Sequence, residues 1–72
     1  RITVEAKDIP GALEEIAEVY KSLGINITHI AAYRGEGTSD VVIRSDAFDT
    51  SEIEKDLEIR GYKIKHILKN EK

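Results

Sequence analysis

The chain opens with strict alternation: Ile2, Val4 and Ala6 are apolar, while Thr3 and Glu5 between them are polar. That period of two predicts a strand with one buried face. The period changes after the stretch Lys7-Asp8-Ile9-Pro10-Gly11-Ala12-Leu13. Leu13, Ile16, Ala17, Tyr20 and Leu23 recur at three- and four-residue steps, which is the stripe of an amphipathic helix. Glu14, Glu15, Glu18 and Lys21 fill its other side, and Gly24 ends it as a C′ residue. A second strand is expected over Ile25 to Arg34, with Ile25, Ile27, His29, Ala31 and Tyr33 on one face and Asn26, Thr28, Ile30, Ala32 and Arg34 on the other. Both faces carry apolar residues, as in a strand covered from two sides.

Gly35-Glu36-Gly37-Thr38-Ser39 reads as a hairpin loop. Asp40 to Ser45 returns as a strand, with Val41 and Ile43 facing one way and Val42 and Arg44 the other. A second helix follows, capped by Asp49 or Thr50 and running to about Arg60, with Ile53 and Leu57 turned inward, Phe48 assisting from just before it, and Gly61 as its stop. Tyr62 to Leu68 forms a last strand, with Ile64 as its surest core position. Asn70-Glu71-Lys72 is a polar tail. The order strand, helix, strand, strand, helix, strand, with right-handed crossovers, gives an α+β class: the ferredoxin-like βαββαβ fold, a four-stranded antiparallel sheet with two helices on one face.

The turn between the first strand and the first helix concentrates the chemistry. Pro10 suits a first helical turn because its φ is already helical and it has no N–H to leave unpaired. Asp8 is a capping residue beside the helix's positive end. Gly11 leaves the backbone open, so the amides of Gly11, Ala12 and Leu13 are expected to point outward without intrahelical partners. Amide donors suit a carboxylate and the Asp8 carboxylate suits an ammonium, a pairing that matches a free amino acid. A well-capped helix start accounts for the same residues on structural grounds alone.

Composition narrows the alternatives. Seventy-two residues make one domain, residues 1–72, and a chain of that size buries only about 60% of its unfolded surface and is marginal alone, so a partner subunit or tethered domain is expected. Arg1 in place of Met points to a piece of a longer protein. A net charge of −3 offers no general attraction to nucleic acid, and the first and third strands lack the aromatics on which RNA-binding versions of this fold stack bases. No apolar run approaches the roughly 18 residues of a membrane span, and no signal-peptide pattern is seen. The absence of cysteine removes disulfides and thiolate metal sites and fits a cytoplasmic protein.

The charged fraction of 35% exceeds the usual value of about 25%. His29 and His66 fall on different strands with no ligand spacing, so no metal is expected, and no cofactor. Nothing forms a nucleophile–base constellation, so an enzyme is not expected. Lys63, Lys65, Lys69 and Lys72 make a basic stripe of the kind that protects an edge strand.

Asp8-Ile9-Pro10-Gly11-Ala12-Leu13, then Gly24-Ile25-Asn26-Ile27, then Val41-Val42-Ile43 after the glycine hairpin, resemble the ACT domain. That family comprises small regulatory modules attached to amino-acid biosynthetic enzymes, and the resemblance covers nearly the whole chain. It implies a ligand site for a free amino acid at the interface of two domains. Asp8, Gly11, Ala12 and Leu13 would line one wall, and Asn26 and Ile27 would come from the same or a partner chain. It also implies a homodimer joined through the Ile25–Arg34 strand and the first helix, which modulates an attached domain. The alternative is a ligand-free structural dimerisation module, like similar domains that follow paired CBS modules. Ala6 and Asp8 stand where the serine-sensing dehydrogenases carry histidine and asparagine, so the resemblance does not extend to serine as the ligand.

Overall fold

The computed structural model describes residues 1–68. The basic positions Lys69 and Lys72 and the tail Asn70-Glu71-Lys72 lie outside the described residues. Strand β1 spans Ile2–Ala6, helix α1 Ile9–Ser22, β2 Ile27–Arg34, β3 Ser39–Ser45, α2 Ser51–Ile59 and β4 Lys63–Ile67. The sheet order is β2-β3-β1-β4, with every neighbouring pair antiparallel. This is the expected ferredoxin-like arrangement, with β2 and β4 at its two edges.

Alternation in β1 performs as expected: Ile2, Val4 and Ala6 are buried and register with Ile43, Val41 and Ser39 of β3. Residues directly opposite in antiparallel strands share a face, so Val41 and Ile43 join the same core. Ile53 and Leu57 close it from α2. Gly24, Gly37 and Gly61 adopt positive φ, at 69°, 79° and 93°. Gly24 and Gly61 thus terminate α1 and α2 as the sequence implies, because that conformation is strained for a residue with a Cβ.

Several expectations are corrected. The buried stripe of α1 is Ala12, Ile16, Val19 and Tyr20, while Ala17 is exposed and Leu13 and Leu23 are half-buried. At 3.6 residues per turn, Val19 and Tyr20 flank Ile16 on its two sides, whereas Ala17 falls outside the arc. Phe48 is 55% exposed; Ala47 packs on the core instead. The N-cap Thr50 is buried too, and its hydroxyl donates to Glu54.

The β2 face assignment also changes. Ile27 pairs with Ser45 but His29 pairs with Arg44, so Thr28 is an extra residue and the ladder carries a bulge there. Beyond it the alternation inverts: Ile30 and Ala32 oppose Ile43 and Val41 on the helix side, the side on which Ile25 and Ile27 also pack. Cover on the helix side thins out along β2, so the strand is not enclosed from two sides: Ile30 is 38% exposed and Ala32 is exposed. A second bulge, at Lys65 in β4, lets Ile64 and Ile67 both oppose core residues, Val4 and Ile2, though they are three apart. Ile64 is half-buried against the core rather than fully enclosed.

The Tyr20 hydroxyl is buried with no hydrogen-bond partner among the described residues, and burial pushes its pKa up to about 12. The fold therefore favours the neutral phenol. That contribution is fully present below the unfolded pKa near 10 and is lost as pH rises towards 12. Tyr20→Phe removes an unsatisfied polar group while keeping the ring. Thermal melts are expected to show equal or higher stability at pH 7, by up to about 1 kcal/mol, and a smaller loss than wild type at pH 11. A large destabilisation at pH 7 would show that the hydroxyl is hydrogen-bonded after all.

Candidate functional site

The turn that the sequence singles out joins β1 to α1 at one end of the sheet. Asp8 is the N-cap in an extended conformation (φ −116°, ψ 105°), and Pro10 lies in the first turn. The helix begins at Ile9, one residue earlier than a Pro10 start, and this reduces the set of open donors. Ala12 N–H donates to Asp8 O at 2.9 Å, and Leu13 N–H falls within the i→i−4 ladder. Of the three amides expected to point outward, only Gly11's remains outside the ladder, joined by Ile9's.

The Asp8 side chain makes no capping hydrogen bond. Its carboxylate leans over Gly11, with Oδ2 2.6 Å from where a Cβ on Gly11 would sit. Gly11 is thus the space that the Asp8 carboxylate uses. Gly11→Val is expected to leave a folded helix, since the obstruction is the end of a flexible side chain, but to drive the carboxylate from its place. Circular dichroism should show a melt close to wild type while amino-acid binding by calorimetry is weakened. A variant that is unfolded would assign Gly11 to backbone geometry only.

Two clefts flank this turn. The smaller, about 210 Å³, opens on the β2 side, where Lys7, Asp8, Ile9 and Pro10 face Arg34 and Ser39. The larger, about 430 Å³, opens on the other side, between the turn and the α2–β4 loop. Asp8 lines both; Gly11 and Ala12 line only the larger. Leu13 lines neither and packs against the core.

Asn26 and Ile27 are not brought to the turn within one chain. β2 runs parallel to β1, because both are antiparallel to β3, so its start lies at the far end of the sheet. There the Asn26 backbone pairs with Asp46 instead, accepting from Asp46 N–H at 3.2 Å and donating to Asp46 Oδ1 at 3.3 Å. The six expected site residues therefore divide between the two ends of the sheet.

The α2–β4 wall of the larger cleft has no counterpart in the sequence pattern. Arg60 reaches Asp56 at 3.3 Å, Glu18 at 3.4 Å and Glu15 at 3.7 Å, and the Tyr62 hydroxyl donates to Glu15. Desolvation, with the Glu15 hydrogen bond second, pushes the Tyr62 pKa up to about 12, and the Asp8 carboxylate adds to the rise. Glu15 stands four residues after Gly11, one helical turn along, so spacing alone could have placed it here. Arg60 and Tyr62 arrive only through the packing of α2 and β4 on α1, which leaves no local signal. His29 and His66 lie on the two opposite edge strands, and among the described residues no group of three metal-ligating side chains is assembled. No helix among them is long and apolar enough to cross a membrane.

The split βαβ sheet, with an open carboxylate and open amides at its β1–α1 turn, gives the chain the frame of a small ferredoxin-like module. The chain matches the ACT domain family over residues 1–61 and belongs to it. ACT domains are regulatory, non-catalytic modules, generally ligand-binding. No curated protein and no solved structure matches the chain.

Proposed function

We propose that this ACT domain binds a free amino acid at an interface between two copies of the chain and so modulates an attached domain of a longer cytoplasmic protein, without catalysing a reaction itself. The observation that carries this is the position of β2. It is an edge strand, it leaves Ile30 partly exposed and Ala32 exposed on the helix side, and its last residue, Arg34, lines the smaller cleft with Asp8. An exposed edge with apolar residues favours pairing.

Two β2 strands paired antiparallel about a two-fold axis place the start of one beside the end of the other. Asn26 and Ile27 of the second copy then approach Asp8 and Arg34 of the first. The division of the site between two ends of one chain is thereby resolved between two chains. Asp8 takes the ammonium, and Arg34 and the open Ile9 amide at the start of α1 take the carboxylate.

A ligand spanning that junction binds the pair and not the monomer, so it tightens association by mass action. Sedimentation across a dilution series, with and without each of the twenty common amino acids, tests this. The expected result is a monomer–dimer equilibrium that one amino acid shifts towards dimer. Dimerisation indifferent to every amino acid supports the structural-module alternative. A monomer at all concentrations overturns the interface.

A further inference from the structure

We propose that the open face of the sheet, the one the helices leave bare, is a second self-association surface. Two copies stack face to face there, about a two-fold axis that runs across their strands. This goes beyond the edge pairing of β2 and uses no residue of the β1–α1 turn.

The register sorts this face into rows that cross the sheet. Val42 opposes Ala31 on one side and Thr3 on the other, three small, half-buried side chains that make a flat middle row. Towards the hairpin end, Asp40 stands between Tyr33 and Glu5. Towards the other end, Arg44 opposes His29, and the register carried one step past Ile2 and Ile43 sets Arg1 on its other side.

An antiparallel sheet commonly gives one face to solvent, and opposite charges set across from one another then stabilise it. Here like stands against like, Asp40 beside Glu5 and Arg44 beside Arg1, which is unfavourable within one sheet. The acidic row is answered in part by Lys63, opposite Glu5, and by Lys65, which reaches over β1 to Asp40 at 3.1 Å. The cationic row has no acidic member, and Arg44 closes no ion pair among the described residues.

A second copy turned about an axis along the middle row reverses the order of the rows. Each Arg44 then lies over the partner's Asp40, and each Arg1 over the partner's Glu5. Tyr33, 61% exposed, lies over the partner's His29. The middle rows meet each other, and their small side chains allow the approach of about 10 Å at which sheets stack. Turned about an axis parallel to the strands, the same two faces set carboxylates on carboxylates and arginines on arginines. An unrelated acidic partner would suit the arginines but bring its charge against Asp40 and Glu5. Only a copy with its rows reversed answers both ends of the face.

The contact is polar, with few apolar side chains at its centre, so it forms above the concentrations that suffice for edge pairing and is weakened by salt. Stacking two edge pairs gives a closed unit of four copies.

The test is sedimentation of the full chain at low and high salt, carried above the concentrations at which edge pairing is complete. Wild type is expected to pass from dimer to tetramer, and salt to reverse that second step. Arg44→Glu and Asp40→Lys are each expected to weaken it by about a hundredfold or more, because the axis repeats every contact and like charges now meet at both. Mixed in equal amounts, the two variants are expected to recover it. One of the two contacts is then the native pair and the other the same pair with its signs exchanged, a rescue that a folding defect could not produce. A step that neither substitution weakens, a mixture that stays at dimer, or no second step at any concentration overturns the proposal. In the Ile30→Lys background the same series reads monomer to dimer. A failed edge interface thus leaves the face testable, and a failed face leaves the edge pair standing.

Discussion

Asp8→Asn is expected to weaken amino-acid binding by about 1–3 kcal/mol, or roughly five- to a hundredfold, because it exchanges a charge-assisted contact for a neutral one of the same shape. The stability change should be far smaller. Asn is as good an N-cap as Asp, and the Asp8 side chain makes no capping hydrogen bond to lose. The carboxylate instead sits over Gly11, open to both clefts. Calorimetry and a thermal melt on the same preparation separate the two effects. Unchanged affinity would remove Asp8 from the site; a collapse in melting temperature would return it to the ordinary role of a helix cap.

Ile30→Lys is expected to abolish pairing while leaving the monomer folded. In one chain the side chain at 30 is partly solvent-exposed on the helix side of an edge strand, where the long lysine stem can reach solvent, so the cost to the monomer is about 1 kcal/mol. In a β2–β2 pair the same position faces the junction from both copies, so two like charges would be brought together and partly desolvated. Sedimentation should show a monomer at concentrations where wild type is dimeric, with the pairing-linked response to amino acid lost. A variant that still dimerises would move the interface to another surface, such as the open face of the sheet.

The fold was legible because its signals are local. Alternation at Ile2, Val4 and Ala6, the positive-φ stops at Gly24 and Gly61, and the inward pair Ile53 and Leu57 each depend on a few neighbouring residues. The bulges at Thr28 and Lys65 were not legible, because a register shift is set by the partner strand and not by the residue that it displaces. For the same reason simple alternation puts Ile30 and Ala32 on the face opposite Ile25 and Ile27, whereas the bulge places all four together. The site was legible only on its β1–α1 side. Asp8 and Gly11 announce themselves by residue type, and the contact between them explains why they occur as a pair. Arg60 and Tyr62 reach the cleft from some fifty residues away through the packing of α2 and β4, and nothing about their own neighbourhood marks them.

The two bulges are placed differently along their strands, and this bears on how far assembly can proceed. In β2 the irregularity lies near the start, leaving an uninterrupted ladder from His29 to Arg34. In β4 it falls in the middle of a five-residue strand that also carries Lys63 and Lys65. A sheet with two equivalent rims could add copies head to tail without limit, producing a fibre. Here one rim is regular from His29 onward and the other is kinked and cationic. The proposed β2–β2 pair would consume both regular rims and leave β4 on both outer edges. Edge growth would then stop at a closed two-fold unit, a stoichiometry limited by one extra residue in β4.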